Sequence, residues 1–571
     1  MNKRIKFINN KQSFLAMDLP GIFTKTNLEI LALLGKEKLH IREIAERLGC
    51  SPAKVHGCIA TFREHGLTTE RWEKNRKIII LNEKSGLLQA INQLMKAGKG
   101  EREGGPTDTL TLFDAISPLD YRYYGRNEKA FEELRPYLSE AGFIRYACKA
   151  EAALTNTLAR LRVCSKGIAR EVEAASKQVT PEEVYLEEDR IKHNIRALAN
   201  AIRSRVSGKA RPYVHFTTTS HDIICTADAA RFKDFSHKVL VPKLIGLERT
   251  LIGLSLREKH TLQIGRTHGQ HAEPITFGFA IAQYVSRLGT SITSLEKSAS
   301  NLRGKVAGAV GAYNASSLFF SRPEEFERLV LAEMGLKPSP ISTQVVEAEY
   351  MTRFVNDAIA AFGVLANLSD DMRHLQRSEI AEVGEHFEAK QVGSSTMPQK
   401  RNPINFENVK SMWKEFMPRM VTVYSDQISE HQRDLTNSAS SRFVPEILAA
   451  LYLSADRLDR IMARLAVDTK SMKRNFGMSR EFVIAEPLYI LLAAHGHPDA
   501  HEYVREKTLE SQRTGIPVRE LVGKDKAIRP YLRRLTAHQR EILNNPELYT
   551  GIAAKKTESV CSHWKRTFRR R

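Results

Sequence analysis

Leu240, Leu244, Leu247, Leu251 and Leu254 stand at alternating spacings of four and three residues. This spacing puts one apolar stripe along a helix that packs almost parallel to its neighbours. Phe277, Ile281, Tyr284, Leu288 and Leu295 make a second seam, and Ile447, Leu451, Leu458, Ile461 and Leu465 a third. Three such helices, far apart in the chain, predict a helical bundle, and with it a mainly α fold. Pro242, near the start of the first seam, is expected to kink its helix. A chain of 571 residues exceeds one ordinary domain, so long shared helices and further domains are both expected.

Nowhere do 18 apolar residues run uninterrupted, and MNKRIKFINNKQSF at the start has no apolar core followed by small residues. Membrane spanning and secretion are therefore unsupported, and a cytoplasmic location is expected. The six cysteines are scattered without a C-x-x-C, which favours buried thiols over a disulfide framework or a cysteine zinc site. The net charge of +21 is concentrated at the two ends, in residues 1–100 and in the last 17 residues, KKTESVCSHWKRTFRRR. Clustered positive charge suits a polyanion, because neutralising phosphates releases counterions; a solvated basic tail is the alternative for the C-terminus.

Around Lys96–Asp108, KAGKGEREGGPTD, glycine and charge cluster and apolar periodicity disappears, as in a linker. Upstream lie three short helical patterns, LEILALLG, IREIAERLG and SPAKVHGCIATFREHGL, with Gly49 at a turn and Ser51 placed as an N-cap before Pro52. The basic, β-branched stretch Arg71–Leu81 follows, suited to a wing. Residues 25–95 thus resemble the winged helix-turn-helix domains of small transcriptional regulators. That resemblance makes Ser51–His65 a recognition helix offering Lys54, His56 and Arg63, with Arg71, Lys74, Arg76 and Lys77 on phosphates. Such domains also serve in dimerisation or docking, so DNA is a possible partner and not a required one.

Beyond the linker, three polar segments interrupt the apolar pattern. Gly393–Glu407, GSSTMPQKRNPINFE, combines a flexible stretch with Lys400, Asn402 and a helix whose first amides are expected to stabilise an anion. A serine acting as base needs such dipoles or a lysine to stabilise its alkoxide. Gly265–Gly278, GRTHGQHAEPITFG, sets His268 in a polar turn, and histidine is the usual proton donor near neutral pH. His215–Ala229, HFTTTSHDIICTADA, offers Ser220 and Asp222 to carboxylates and hydroxyls. Each segment alone is weak, since Thr-Ser runs usually cap helices and buried histidines are usually just satisfied.

In this order the segments resemble the fumarase/aspartase superfamily, whose loop signature G-S-S-x-M-P-x-K-x-N-P stands complete at Gly393–Pro403. Within it the chain is similar to the adenylosuccinate lyases. The likeness runs from SPLDYRYYG (Ser117–Gly125) through GRTHGQ, GKVAGAVGAYNA (Gly304–Ala315), DDMRHLQRSEIAEV (Asp370–Val383) and HQRDLTNS (His431–Ser438), over about residues 110–555. The resemblance implies a fumarase/aspartase-type long helical bundle preceded by the small winged domain. Its divisions would be 1–97 for the winged domain, 98–110 for the linker, 111–220 for an N-terminal helical domain, 221–465 for the central bundle with the signature loop, and 466–571 for a C-terminal helical domain and tail.

The resemblance also implies chemistry: loss of fumarate from a succinyl-amino purine nucleotide, without metal or organic cofactor, in a homotetramer whose sites are each built by three subunits. By motif position Ser394 is the base, His268 the acid and Glu407 the carboxylate that orients the histidine, while Lys400 and Asn402 hold the succinyl carboxylates. Arg122, Tyr123, His193, Ser220, Thr267, Gln270, Gln344, Arg433, Ser438 and Arg442 fall at substrate-contacting positions. Arginines suit a phosphomonoester because the planar fork binds two oxygens at once. Ion pairs of Arg433 with Asp434 and of Arg442 with Glu446 are the structural alternative.

Several residues depart from the pattern: Tyr121 before Arg-Tyr, Asn194 after His193, His271 after the THGQ stretch, His221 within Thr-Ser-x-Asp, and Ala348-Glu349 where a basic-Asp pair is usual. They touch substrate choice more than reaction class. Two other readings stay open: a different lyase of the superfamily, such as an argininosuccinate lyase or a cycloisomerase, and a DNA-binding regulator that uses the lyase body as a purine-nucleotide sensor. HGHPDAH (His495–His501) reads as a surface turn and not as a metal site.

Overall fold

The computed structural model describes residues 25–35, 37–73, 76–82, 85, 88, 112–386, 396, 397 and 399–569. Its contacts divide the chain into two units, Met1–Thr111 and Leu112–Arg571.

In the first unit, helices α1 (Lys25–Leu34), α2 (Ile41–Arg47) and α3 (Pro52–Glu64) pack with strands β1 (Leu39–His40), β2 (Thr68–Glu73) and β3 (Arg76–Leu81). The strands form one antiparallel sheet in the order β1-β3-β2. The turn into α3 is built as its residues dictate. Gly49 takes φ +62°, where a glycine meets no Cβ penalty, and the Ser51 hydroxyl accepts the Lys54 amide ahead of Pro52. Ile30, Ile44, Val55, Ile59, Phe62 and Ile79 close the core. The wing hairpin starts at Thr68, earlier than the basic run, because Leu67 and Thr68 are buried and extend the strand inward.

The second unit is helical around one large core. Helix α4 (Glu140–Arg160) packs against α5 (Ser220–Phe235). The bundle consists of α6 (Val241–Arg257), α7 (Phe277–Ser300), α8 (Glu349–Leu375), α9 (Ile404–Phe416) and α10 (Val444–Met462). The seams face inward: Leu240, Leu244, Leu247 and Leu251 are wholly buried, as are Phe277, Ile281 and Leu288, and Leu451 and Leu458. Pro242 sits in the first turn of α6, directly after a π-turn at Ser236–Leu240, so the helical path shifts just ahead of the residue that lacks an amide. Between α6 and α7 a hairpin interrupts the bundle, β4 (Leu262–Thr267) paired with β5 (Gln270–Thr276).

Helix α11 (Thr469–Val483) braces that hairpin, and a smaller core of Ile484, Leu488, Leu492, Val504, Val518 and Val522 follows. The last helix, α12 (Ala553–Thr567), returns to pack on α6 and α7. Its Trp564 ring lies where a Cβ on Gly289 would come within 2.3 Å. All six cysteines are free thiols, but only Cys148 and Cys561 are fully buried. Among the described residues no helix is long and apolar enough to cross a membrane.

Candidate active site

The β4–β5 hairpin carries Thr267, His268 and Gln270 at its exposed tip. His268 takes φ +53° and Gly269 +76°, so a side chain that disfavours left-handed backbone is held in it. The stem is rigid. Glu382, wholly buried, accepts from Gln263 Nε2 at 2.8 Å, from the Arg266 guanidinium at 2.6 Å and from Asn475 Nδ2 at 2.8 Å. His271 Nδ1 meets Ser479 Oγ on α11 at 2.8 Å. Among the described residues nothing hydrogen-bonds to the His268 ring or pairs with the Glu407 carboxylate, and both side chains are exposed. Within one chain His268 and Glu407, expected as the acid and its orienting carboxylate, are therefore not joined.

The N-terminus of α5 is built on charge. Asp222, expected to face substrate, is instead an internal anchor: it pairs with the wholly buried Lys305 and accepts the amides of Thr219, Ala307 and Gly308. A carboxylate at this depth must be paired, and Lys305 with three amides saturates it. The preceding loop puts His215 and Thr217 at φ +62° and +60°, with the His215 ring on the buried Glu151 at 2.7 Å. Ser220 lies beside His221, whose proton affinity is lowered first by burial and then by the Arg433 and Lys305 charges. The Gln344 amide donates to the Gln432 carbonyl at 3.1 Å. Ser220, Gln344 and Arg433 are thus gathered within one chain. Among the described residues Arg433 Nε and Nη2 are buried without a hydrogen-bond partner, and the ion pair with Asp434 does not form, because Asp434 accepts from Thr436 and the Glu430 amide. Arg442 likewise does not pair with Glu446, which Arg419 holds.

Ser394, Gly393 and Ser395 lie outside the described residues. Lys400 is exposed, and Asn402 half-buried. The helix after the loop, α9, does not offer its first amides to a ligand as expected. Buried Glu385 accepts the amides of Asn405 and Phe406 at 2.9 and 3.0 Å and Asn405 Nδ2 at 2.6 Å, so a protein carboxylate already occupies that anion position. His193 caps the helix Asn194–Ser204, its Nδ1 accepting the Arg196 amide at 3.2 Å. Ser438 is exposed. HGHPDAH is a turn, with Gly496 at φ +89° and His497 packed on Tyr503 and Tyr531.

Arg122 and Tyr123 open onto a cavity of about 500 Å³ between the turn Leu119–Tyr124, α9 and α10. Asn408 Nδ2 donates to the Tyr123 hydroxyl at 3.0 Å, which ties this motif to the helix that follows the signature loop. Arg126, Arg457 and Arg460 also line the cavity. Sequence reading missed Arg457 and Arg460 because charged residues flanking an apolar seam look like a solvated helix face, and Arg126 because it falls just past the SPLDYRYYG motif.

In the first unit Lys54, His56 and Arg71 are exposed. Arg63 and Lys77 share Glu70, at 3.5 and 2.5 Å, and Arg76 lies 3.8 Å from Glu43, so part of the expected phosphate grip is already neutralised. Lys74 lies outside the described residues.

The Lyase family model matches residues 120–417, the adenylosuccinate lyase C-terminal model 429–540, and the IclR helix-turn-helix model 28–71. The adenylosuccinate lyase of Pyrococcus abyssi is 34% identical over 455 residues, covering 79% of this chain and 98% of the relative. That of Bacillus subtilis is 31% identical, covering 59% and 77%. Among solved structures, a fumarate lyase from Mesorhizobium sp. BNC1 superposes with a TM-score of 0.66 at 22% identity, over 76% of this chain and 97% of its own. The 3-carboxy-cis,cis-muconate lactonizing enzyme of Pseudomonas putida reaches 0.67 at 22%, over the same shares. At that identity these two describe the fold, and the sequence relatives discriminate within it. A bundle of this topology with this kinship along nearly the full length of its relatives means that the chain belongs to the adenylosuccinate lyase family, with an IclR-type helix-turn-helix domain ahead of the lyase body.

Proposed function

We propose that the chain is an adenylosuccinate lyase, cleaving adenylosuccinate to AMP and fumarate and also succinyl-aminoimidazole-carboxamide ribotide to its carboxamide and fumarate. The kinship with adenylosuccinate lyases over 98% of the Pyrococcus relative carries this reading. In the reaction a base removes the proton β to the departing nitrogen, the carbanion is stabilised by the adjacent carboxylate, the C–N bond breaks, and an acid protonates the nitrogen. We assign the base to Ser394, the acid to His268 and its orientation to Glu407, with Lys400 and Asn402 on the succinyl carboxylates. Arg122, Tyr123, His193, Ser220, Thr267, Gln270, Gln344, Arg433, Ser438 and Arg442 are the proposed substrate contacts. His268 and Glu407, exposed and without partners among the described residues, fit a homotetramer in which another subunit completes each site, and we place the enzyme in the cytoplasm. The unpaired, buried nitrogens of Arg433 fit a site awaiting an anion.

The test is direct. Purified protein incubated with adenylosuccinate should release fumarate, followed by absorbance, and should leave argininosuccinate intact. Cleavage of argininosuccinate in its place would overturn the assignment.

For the first unit we propose DNA as partner. The IclR-type match and the exposed Lys54, His56 and Arg71 support it.

A further inference from the structure

The cavity beside Arg122 and Tyr123 concentrates positive charge that the protein itself does not neutralise. Arg122 and Arg126 have no hydrogen-bond or ion-pair partner among the described residues. Arg457 donates Nη1 to the neutral Asn405 Oδ1 at 2.7 Å. The lining carboxylate, Asp456, is already held by Lys243 at 2.7 Å and by Arg460 at 3.2 Å. On the same wall the Ser454 hydroxyl is buried and has no hydrogen-bond partner among the described residues. Gathering guanidiniums without counter-charge is unfavourable unless an anion joins them. Burial, then the neighbouring Arg460, depress the proton affinity of Arg457.

The local backbone produces this convergence. The π-turn Leu119–Tyr124 ends at Gly125, where a Cβ would come within 2.5 Å of Leu112 and 3.0 Å of the Asp120 carbonyl. That tight closure brings Arg126 to the same cavity as Arg122. Arg457 reaches it from α10, so donors approach from two separate elements.

We propose that Arg126 and Arg457, which lie outside the motifs, determine specificity by reading the 5′-phosphomonoester of the nucleotide. The inference rests on the proposed lyase reading. A phosphomonoester dianion offers three oxygens to forks arriving from different directions, which a neutral ribose does not, and the succinyl carboxylates have their own assigned partners in Lys400 and Asn402. Arg460 is left out of the role because its guanidinium is already engaged by Asp456 at 3.2 Å.

Calorimetric titration of the full-length protein with AMP and with adenosine tests this. Arg126→Ala is exposed and partnerless, so folding is not at stake; Arg457→Lys keeps the charge and loses the fork. The wild type should bind AMP about a hundredfold more tightly than adenosine, and each substitution should cut that ratio roughly tenfold while leaving adenosine binding unchanged. An unaltered ratio, or equal weakening of both ligands, overturns the inference. Fumarate release from adenylosuccinate separates the two failures. Wild-type turnover with an unaltered ratio sinks the phosphate reading alone, whereas neither turnover nor AMP binding sinks the lyase reading and this inference together.

Discussion

Glu248 lies in the core on α6 with no exposed surface, and among the described residues neither of its carboxylate oxygens has a hydrogen-bond partner. Burial pushes its pKa up to about 9. The folded chain therefore keeps a proton that the unfolded chain releases near 4.5, so this group's favourable contribution is complete below pH 4.5 and is lost as pH rises towards 9. At 1.36 kcal/mol per unit, the loss reaches about 3 kcal/mol at pH 7 and roughly 5 kcal/mol at pH 8. Glu248→Gln keeps the shape and the buried polar group but cannot ionise, so the variant should be more stable than wild type by those amounts and equal to it near pH 4.5. At ~2.1 cal/mol/K per residue, the second unit unfolds with an entropy of roughly 1 kcal/mol/K, so the Tm gain at pH 8 should be about 5 °C. Circular dichroism melts of both proteins from pH 4.5 to 9, at matched concentration and scan rate, measure it. Parallel profiles across that range would refute the reasoning, since they would mean that Glu248 is ionised in the folded state or paired there.

Gly289→Ala should dislodge Trp564 and with it α12, costing about 1–3 kcal/mol; adding Trp564→Ala should remove most of the penalty of the Cβ, and denaturant melts of the two single variants and the double variant measure the coupling. His268→Gln and Ser394→Ala should each lower kcat by about 10²-fold or more. If separate chains supply these residues to one site, dissociating and reassociating the two variants together should restore activity, and proven hybrid oligomers no more active than their parents would refute shared sites. Glu382→Gln weakens the strut beneath the His268 hairpin, so kcat should fall about tenfold while the helical circular dichroism signal is kept. Duplex DNA affinity should fall steeply with salt and vanish on deletion of residues 1–100 while lyase activity survives; equal, weak binding by both proteins would leave the first unit a docking or oligomerisation module.

Local pattern alone determined the bundle and the entry to α3. Leu244, Leu247 and Leu251 bury together because a helix repeats every 3.6 residues whatever surrounds it, and Ser51 caps α3 because its hydroxyl reaches an amide three residues on. The polar turn that carries His268 was likewise legible, and it is the exposed tip of the β4–β5 hairpin. Partnership across distance was decided by the tertiary structure. Asp222 looked like a substrate ligand until Lys305, more than eighty residues away, arrived beside it, and the first amides of α9 looked available until Glu385 took them. Nothing in the local pattern around Arg457 marks it, and only the turn at Gly125, which brings Arg126 to the same cavity, sets the two together. Spacing along one helix says which residues share a face. It says nothing of which distant side chain meets that face, and burial makes each such meeting either a satisfied pair or a site that awaits a ligand.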